Sequence, residues 1–205
     1  MKIYIDFDGT LFDSTIQYQR LINILKKYNI SEDYIKTLMK EDFYKKEKSY
    51  DILATKIIEE KKINSHIQKE INSIYTKDLV YPDVIPFLEK YSKKYDLILL
   101  TLGNIQHQEK KIKSSELKKY FKDIIITDKD KSKLNIDYTK GIFIDNNPKE
   151  LEKFYNSKAA HLIRIKRNID KYSKIPLNIE NIPEFKNFEE LTKNNYIEKI
   201  GENYE

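Results

Sequence analysis

Residues 2–10 read KIYIDFDGT, and this stretch decides the fold. Lys2–Asp6 is a short apolar run rich in β-branched and aromatic residues, which predicts a buried strand. Gly9 and Thr10 end it in a turn. Alternate residues of a strand face the same side, so Asp6 and Asp8 project together from its carboxyl end. In an open α/β sheet that end is where ligands bind. Two adjacent carboxylates repel, so a bound cation or a shared proton is expected there. Taken alone, the stretch also fits an ordinary Asp-Gly turn after a strand.

Further strands are predicted at Asp96–Leu100, Ile124–Thr127, Gly141–Asp145 and Ala159–Ile165. Helical segments from Pro86 to about Lys94, from about Ile105 to Tyr120 and over Lys149–Tyr155 separate them, and Lys129–Lys140 is polar and loop-like. Strands alternating with helices predict a parallel sheet covered by helices on both faces. Ser14 reads as the start of a helix to about Asn29, with Gln17 completing a capping box, and Ser31 and Ser65 as further N-caps, the second with Gln68. Ser31–Lys77 contains neither Gly nor Pro, and its apolar residues recur at three and four, as in Ile35, Leu38 and Met39 or Ile67, Ile71 and Ile74. That spacing predicts an insertion of three or four helices, ended by Pro82 and Pro86. The expected organisation is a core of residues 1–13 and 81–205 with a helical unit over 14–80. Beyond Arg167 the chain is broken by Pro176 and Pro183, and Glu189–Tyr196 reads as a closing helix.

Three more stretches carry candidate chemistry. Thr101-Leu102-Gly103-Asn104 offers a hydroxyl and backbone N–H groups at a strand-to-helix junction, a ready anion site. Asp145 follows the GIFI run and precedes Asn146, Asn147 and Pro148, a pattern that also suits a helix-cap turn. Lys129, Lys131 and Lys133 form a cluster which, by itself, reads equally well as solvated surface. Each signal is weak alone. Together, three carboxylates, a hydroxyl and a lysine fall at strand ends that converge on one edge of a parallel sheet. Such hard oxygen ligands suit a divalent cation with room for a phosphate, and a carboxylate nucleophile.

Composition narrows the alternatives. The 205 residues contain no Cys and three His, His66, His107 and His161, far apart in sequence, so thiolate chemistry is excluded and a three-His metal site is not expected. The 38 basic residues outnumber 33 acidic ones, for a net charge of +5. All but Arg20, Arg164 and Arg167 are lysines interleaved with acids, which reads as a solvated surface and not as a nucleic-acid interface. Arg20, Lys40, Lys45 and Lys46 are candidates to reach a substrate anion, with a plain surface role as the alternative. No apolar run is long enough to span a bilayer, and acids stand where a signal peptide would need apolar residues. A reducing, cytoplasmic setting is the resulting expectation.

The motifs IDFDGTLFDS, LLTLGN, a lysine after the third strand, and FIDNNP occur in the order of the haloacid dehalogenase-like hydrolase superfamily, which the sequence resembles along essentially its whole length. The resemblance implies a Rossmann-like core with a helical cap inserted between the first two motifs. It implies Asp6 as a nucleophile forming an aspartyl-phosphate and Asp8 as the general acid and base. Thr101 and the backbone around Leu102 and Gly103 would hold the phosphate. Mg²⁺ would bind Asp6, the Asp8 carbonyl and Asp145. Lys131, followed by Ser132, is the reading for the third-motif lysine, with Lys129 and Lys133 as alternatives. Family dehalogenases lack an acid two residues after the nucleophile, so Asp8 points to a phosphatase or phosphomutase. A helical cap favours a small phosphorylated metabolite as substrate. A catalytically silent regulator on the same fold is the third reading. The chain departs from the family in having Asn146 where a second acid is common.

Overall fold

The protein is described here from a computed structural model, over residues 1–156 and 161–202, without the side chains of Phe43, Lys45 and Lys46. Strand β1 (Lys2–Ile5) leads through a tight turn into α1 (Ser14–Lys27). Helices α2 (Glu32–Leu38), α3 (Asp42–Glu47), α4 (Tyr50–Lys61) and α5 (His66–Asn72) follow, then a 3₁₀ turn at Lys77–Leu79. The chain returns through α6 (Val84–Tyr91), β2 (Asp96–Leu102), α7 (Ile105–Ser115), β3 (Asp123–Thr127), β4 (Gly141–Asp145), α8 (Pro148–Asn156) and β5 (His161–Ile165). It closes with β6 (Glu184–Phe185), α9 (Phe188–Lys193) and α10 (Tyr196–Gly201). No helix among the described residues is long and apolar enough to cross a membrane.

The strands form one sheet in the order β3-β2-β1-β4-β5-β6, every pairing parallel. The chain first builds outward from β1 on one side and then crosses to its other side, so the strand order reverses between β1 and β4. Both faces are buried, which explains why the strands read as continuous apolar runs. Ile3, Ile5, Leu97, Leu99, Ile142, Ile144, Ile163 and Ile165 pack on one face. Tyr4, Ile98, Leu100, Phe143 and Leu162 pack on the other. Residues 21–74 bury a cluster of their own, including Leu21, Leu25, Ile35, Leu53, Ile57, Ile67 and Ile71. The segments entering and leaving this helical insertion run side by side, bridged antiparallel at Phe12 and Val80.

Several local expectations shift. Helix α1 is capped by Asp13, whose side chain accepts from the Ile16 N–H at 2.9 Å, and not by Ser14. Gln17 faces inward instead of completing a capping box. Ser31 caps α2 as expected, but Ser65 makes no cap bond, and Asn64 accepts from the His66 N–H at 2.8 Å. Thr101 and Leu102 lie within β2, not after it, because the pairing with β3 continues to Leu102 and Thr127. The helix after β2 stops at Ser115, where Glu116 turns left-handed, and the closing helix is two short ones broken at Asn195. Strand β6 had no periodic signal because it is two residues long. Ala159 and Ala160, expected in the fifth strand, lie outside the described residues.

Arg164 ties the segment after β5 to the sheet. It is fully buried. Its guanidinium donates to the Tyr172 and Ile175 carbonyls at 2.8 and 2.9 Å, to Glu184 at 2.9 Å and to the Asn146 carbonyl at 3.3 Å. No other side chain has the donors to replace it. Arg164→Met strands these acceptors and lowers unfolding stability by about 3 kcal/mol, measurable by urea denaturation.

Candidate active site

The ladder between β1 and β4 sets the site. Ile5 pairs with Ile144, and the Asp6 N–H donates to the Ile144 carbonyl at 2.9 Å. One step further, Asp6 and Asp145 stand side by side at the point where the strand order reverses. Both are nearly inaccessible, at 6% and 1% exposure. Lys131, in a 3₁₀ turn 14 residues before Asp145, places its ammonium 2.8 Å from an oxygen of each. Lys129 and Lys133 are exposed, so Lys131 alone of the three reaches the carboxylates. Thr10 donates to Asp6 at 3.2 Å and accepts from the Asn146 N–H at 3.1 Å, pinning the two loops together.

Two buried carboxylates share one ammonium, and the charge does not balance. Burial and the Asp6 charge push the Asp145 carboxyl up to about 7, with Lys131 working against both. Burial likewise raises Asp6 despite the lysine. Burial acts to lower the Lys131 ammonium, but Asp145 and Asp6 outweigh it and hold it raised. Among the described residues, no group of three or more His, Asp or Glu stands together as a ready metal cluster.

Asp8 departs from the expected pairing with Asp6. Its carboxylate meets the Lys111 ammonium at 2.6 Å to each oxygen and the Gln108 amide at 2.7 Å. Burial works to raise this carboxyl, but Lys111 and Gln108 prevail and hold it below its usual range. The two acids therefore have separate lysines and do not share a proton through their side chains. Gly9 makes this turn possible: its φ is +79°, and a Cβ there would lie 2.1 Å from Asn146 Nδ2.

Thr101 is buried at the end of β2, and its hydroxyl has no hydrogen-bond partner. An orphaned buried hydroxyl is costly unless a ligand completes it. The Gly103 N–H is not free for an anion, since it donates to the Thr127 carbonyl at 2.8 Å. Leu102 and Gly103 instead line a chamber of about 430 Å³ that includes Asp8. A larger groove of about 810 Å³, lined by Tyr81, Pro86, Arg167 and Phe188 among others, touches none of Asp6, Asp8, Thr101, Lys131 or Asp145.

Asn146 does not face open space. Its amide donates to Asp170, a buried carboxylate from the segment after β5. Arg167 clamps the Thr10 carbonyl at 2.8 Å and Asp83 at 2.8 and 2.9 Å. Asp170, Arg167, Lys111 and Gln108 escaped the sequence reading because each lies outside the strand-end motifs. Only the spacing of Gln108 and Lys111, three apart on a helix face, carried a signal. Arg20 is not at the site: it pairs with Asp78 and donates to Thr76 at 2.7 Å. Lys40 is exposed, and the side chains of Lys45 and Lys46 lie outside the description.

A family model for haloacid dehalogenase-like hydrolases matches residues 3–154. The chain belongs to that family. Three solved structures illustrate the likeness. The HAD-hydrolase YfnB of Bacillus subtilis, solved with magnesium bound, aligns at 14% identity and a TM-score of 0.61, over 94% of this chain and 96% of its own. A 2-haloacid dehalogenase from Pseudomonas syringae pv. tomato DC3000 aligns at 15% identity and 0.62, over 94% and 96%. A Thermotoga maritima protein assigned as a beta-phosphoglucomutase aligns at 16% identity and 0.65, over 96% and 99%. None of the curated proteins matches in sequence. At these identities the likeness is one of fold, and one fold can serve several chemistries.

The helical insertion meets the HAD core along α7. His107 is buried, edge-on to the Tyr50 ring, with its Nδ1 2.9 Å from the Tyr75 hydroxyl. Burial, with Lys111 nearby, lowers its pKa to about 3. The unfolded chain therefore binds a proton at His107 that the fold refuses between pH 6.5 and about 3. Stability rises with pH across that window and is complete above it. At pH 5 the expected loss is about 2 kcal/mol. Urea denaturation against pH will show this loss in the wild type and its removal in His107→Gln.

Proposed function

We propose that this HAD-like hydrolase is a Mg²⁺-dependent phosphatase acting on small phosphomonoesters. The observation that carries the reading is the Lys131 ammonium bridging Asp6 and Asp145, with a second acid, Asp8, two residues beyond Asp6. Family dehalogenases lack that second acid.

The residues fit a small divalent cation. Two buried carboxylates against one lysine leave a net negative, hard-oxygen site, with Asp145 raised by burial and by Asp6. Asp6, Asp145 and the Asp8 carbonyl would hold Mg²⁺, and the ion would supply charge neutralisation for the incoming phosphoryl group. In this mechanism Asp6 attacks phosphorus as the phosphate rests against Lys131 and the Thr101 hydroxyl. Asp8 gives a proton to the departing oxygen. The aspartyl-phosphate on Asp6 is then hydrolysed by a water from which Asp8 takes the proton back. Lys131 holds Asp6 ionised and aimed throughout. The helices of residues 14–80 act as the cap, closing over the leaving group and excluding water. The substrate partner is accordingly a small phosphorylated metabolite.

Phosphate release from a panel of phosphomonoesters is expected with Mg²⁺ and not with EDTA, and Asp6→Asn lowers it by at least about 10³-fold. No release from any compound by folded, Mg²⁺-supplied protein counts against the reading. Accumulation of a rearranged phosphosugar without free phosphate would identify a phosphomutase instead.

Asp170 contributes a buried carboxylate to Asn146, where many relatives carry an acid. Asp170→Asn is expected to weaken Mg²⁺ binding by about tenfold, read by calorimetry and not by turnover.

A further inference from the structure

We propose that the chamber beside Asp8 selects a phosphoester whose leaving group carries a second anionic group, a carboxylate or another phosphate. This rests on the phosphatase reading of Asp6 and names the substrate class of the same site. Two independent features of the chamber carry it.

The first is charge. Among the described residues, Asp8 is the only acid lining the chamber, while Lys48, Lys111 and Lys171 all line it. His107, also in the wall, is held neutral by burial. The transferring phosphoryl group already has its own cation in Lys131, which meets Asp6 and does not line the chamber. Asp170 also acts on Lys171, and the chamber's three lysines still outnumber Asp8 and Asp170. Lys48 and Lys171 are exposed. Lys111 is deeper, 3% exposed, and its ammonium holds both Asp8 oxygens. An anion entering the chamber would meet this ammonium beside Asp8.

The second is a pair of orphaned amides. Gln17 Nε2 and Gln108 Oε1 are both buried without a hydrogen-bond partner, and both residues line this chamber. Gln17, on α1, offers a donor from the insertion side, and Gln108, on α7, an acceptor from the core side. Unpaired buried amides are rare unless a ligand completes them. A donor in the same chamber wall as three ammonium groups suits an anionic oxygen, and the acceptor suits a hydroxyl on the same leaving group.

Binding to Asp6→Asn protein, measured by calorimetry with Mg²⁺, tests the idea without turnover. The probes are glycerol phosphate, phosphoglycerate and fructose bisphosphate. Phosphoglycerate or fructose bisphosphate is expected to bind about tenfold or more tightly than glycerol phosphate. Whichever is favoured tells a carboxylate site from a phosphate site. Lys111→Met and Lys171→Met should each remove most of that advantage. Lys171 is exposed, so its variant keeps the test alive if the buried Lys111 variant fails to fold. Equal affinity for all three, or no binding by any, overturns the proposal. Phosphate release from glycerol phosphate with the same kcat/KM as from the two-anion compounds also overturns it, and leaves the phosphatase reading standing. Tighter binding of two-anion probes with no phosphate release leaves the anion site standing and removes the phosphatase reading.

Discussion

Everything at this site depends on two carboxylates that the sheet forces together and one ammonium placed between them. The parallel register of Lys2–Ile5 with Gly141–Ile144 leaves Asp6 and Asp145 adjacent and buried. Alone they would repel strongly in a low-dielectric setting. Lys131 relieves part of that repulsion and is itself held charged by it. The remaining negative charge is what a divalent cation would neutralise.

The surroundings of this triad are built to keep it in register. Thr10 links the first loop to the backbone after Asp145. Arg167 holds the Thr10 carbonyl and both Asp83 oxygens, one of which also accepts from the Phe188 N–H at 2.6 Å. Arg164 holds the Asn146 carbonyl and the chain that carries Asp170. Two of the three arginines in the chain are thus spent on positioning backbone, where a planar, multi-donor guanidinium outperforms lysine. The insertion contributes differently. Its apolar cluster is its own, and it meets the α7 region through polar contacts, Glu47 with Asn104, Asp51 with Lys110 and Tyr75 with His107, and through the Tyr50 ring edge-on to His107. A seam of this kind is easier to open than an apolar core.

Much of this was legible in order along the chain. The strand-then-acid pattern at Asp6 and Asp145 needs only alternation and a turn, both local properties, and it fell within a residue of the structure. Lys131 was legible as one of three, because spacing cannot say which lysine of a 3₁₀ turn points inward. Caps were less legible: Ser14 and Asp13 are both good N-caps, and the outcome turned on which one the entering chain placed over the helix end. Asp8 was read as the partner of Asp6, yet Lys111, 103 residues away, holds it. Asp170 gave no signal, since a lone acid in a Pro-broken tail looks like surface.

The sequence by itself determined most of the elements, the parallel sheet and the positions of Asp6 and Asp145, because apolar period, turn residues and strand-end placement are written locally. The tertiary structure alone decided which charges meet. Pairing a buried carboxylate with one ammonium among many requires the chain to close, and only burial makes that choice energetically decisive. On the surface those lysines would be interchangeable; in the core, where Lys131 and Lys111 lie, they are not.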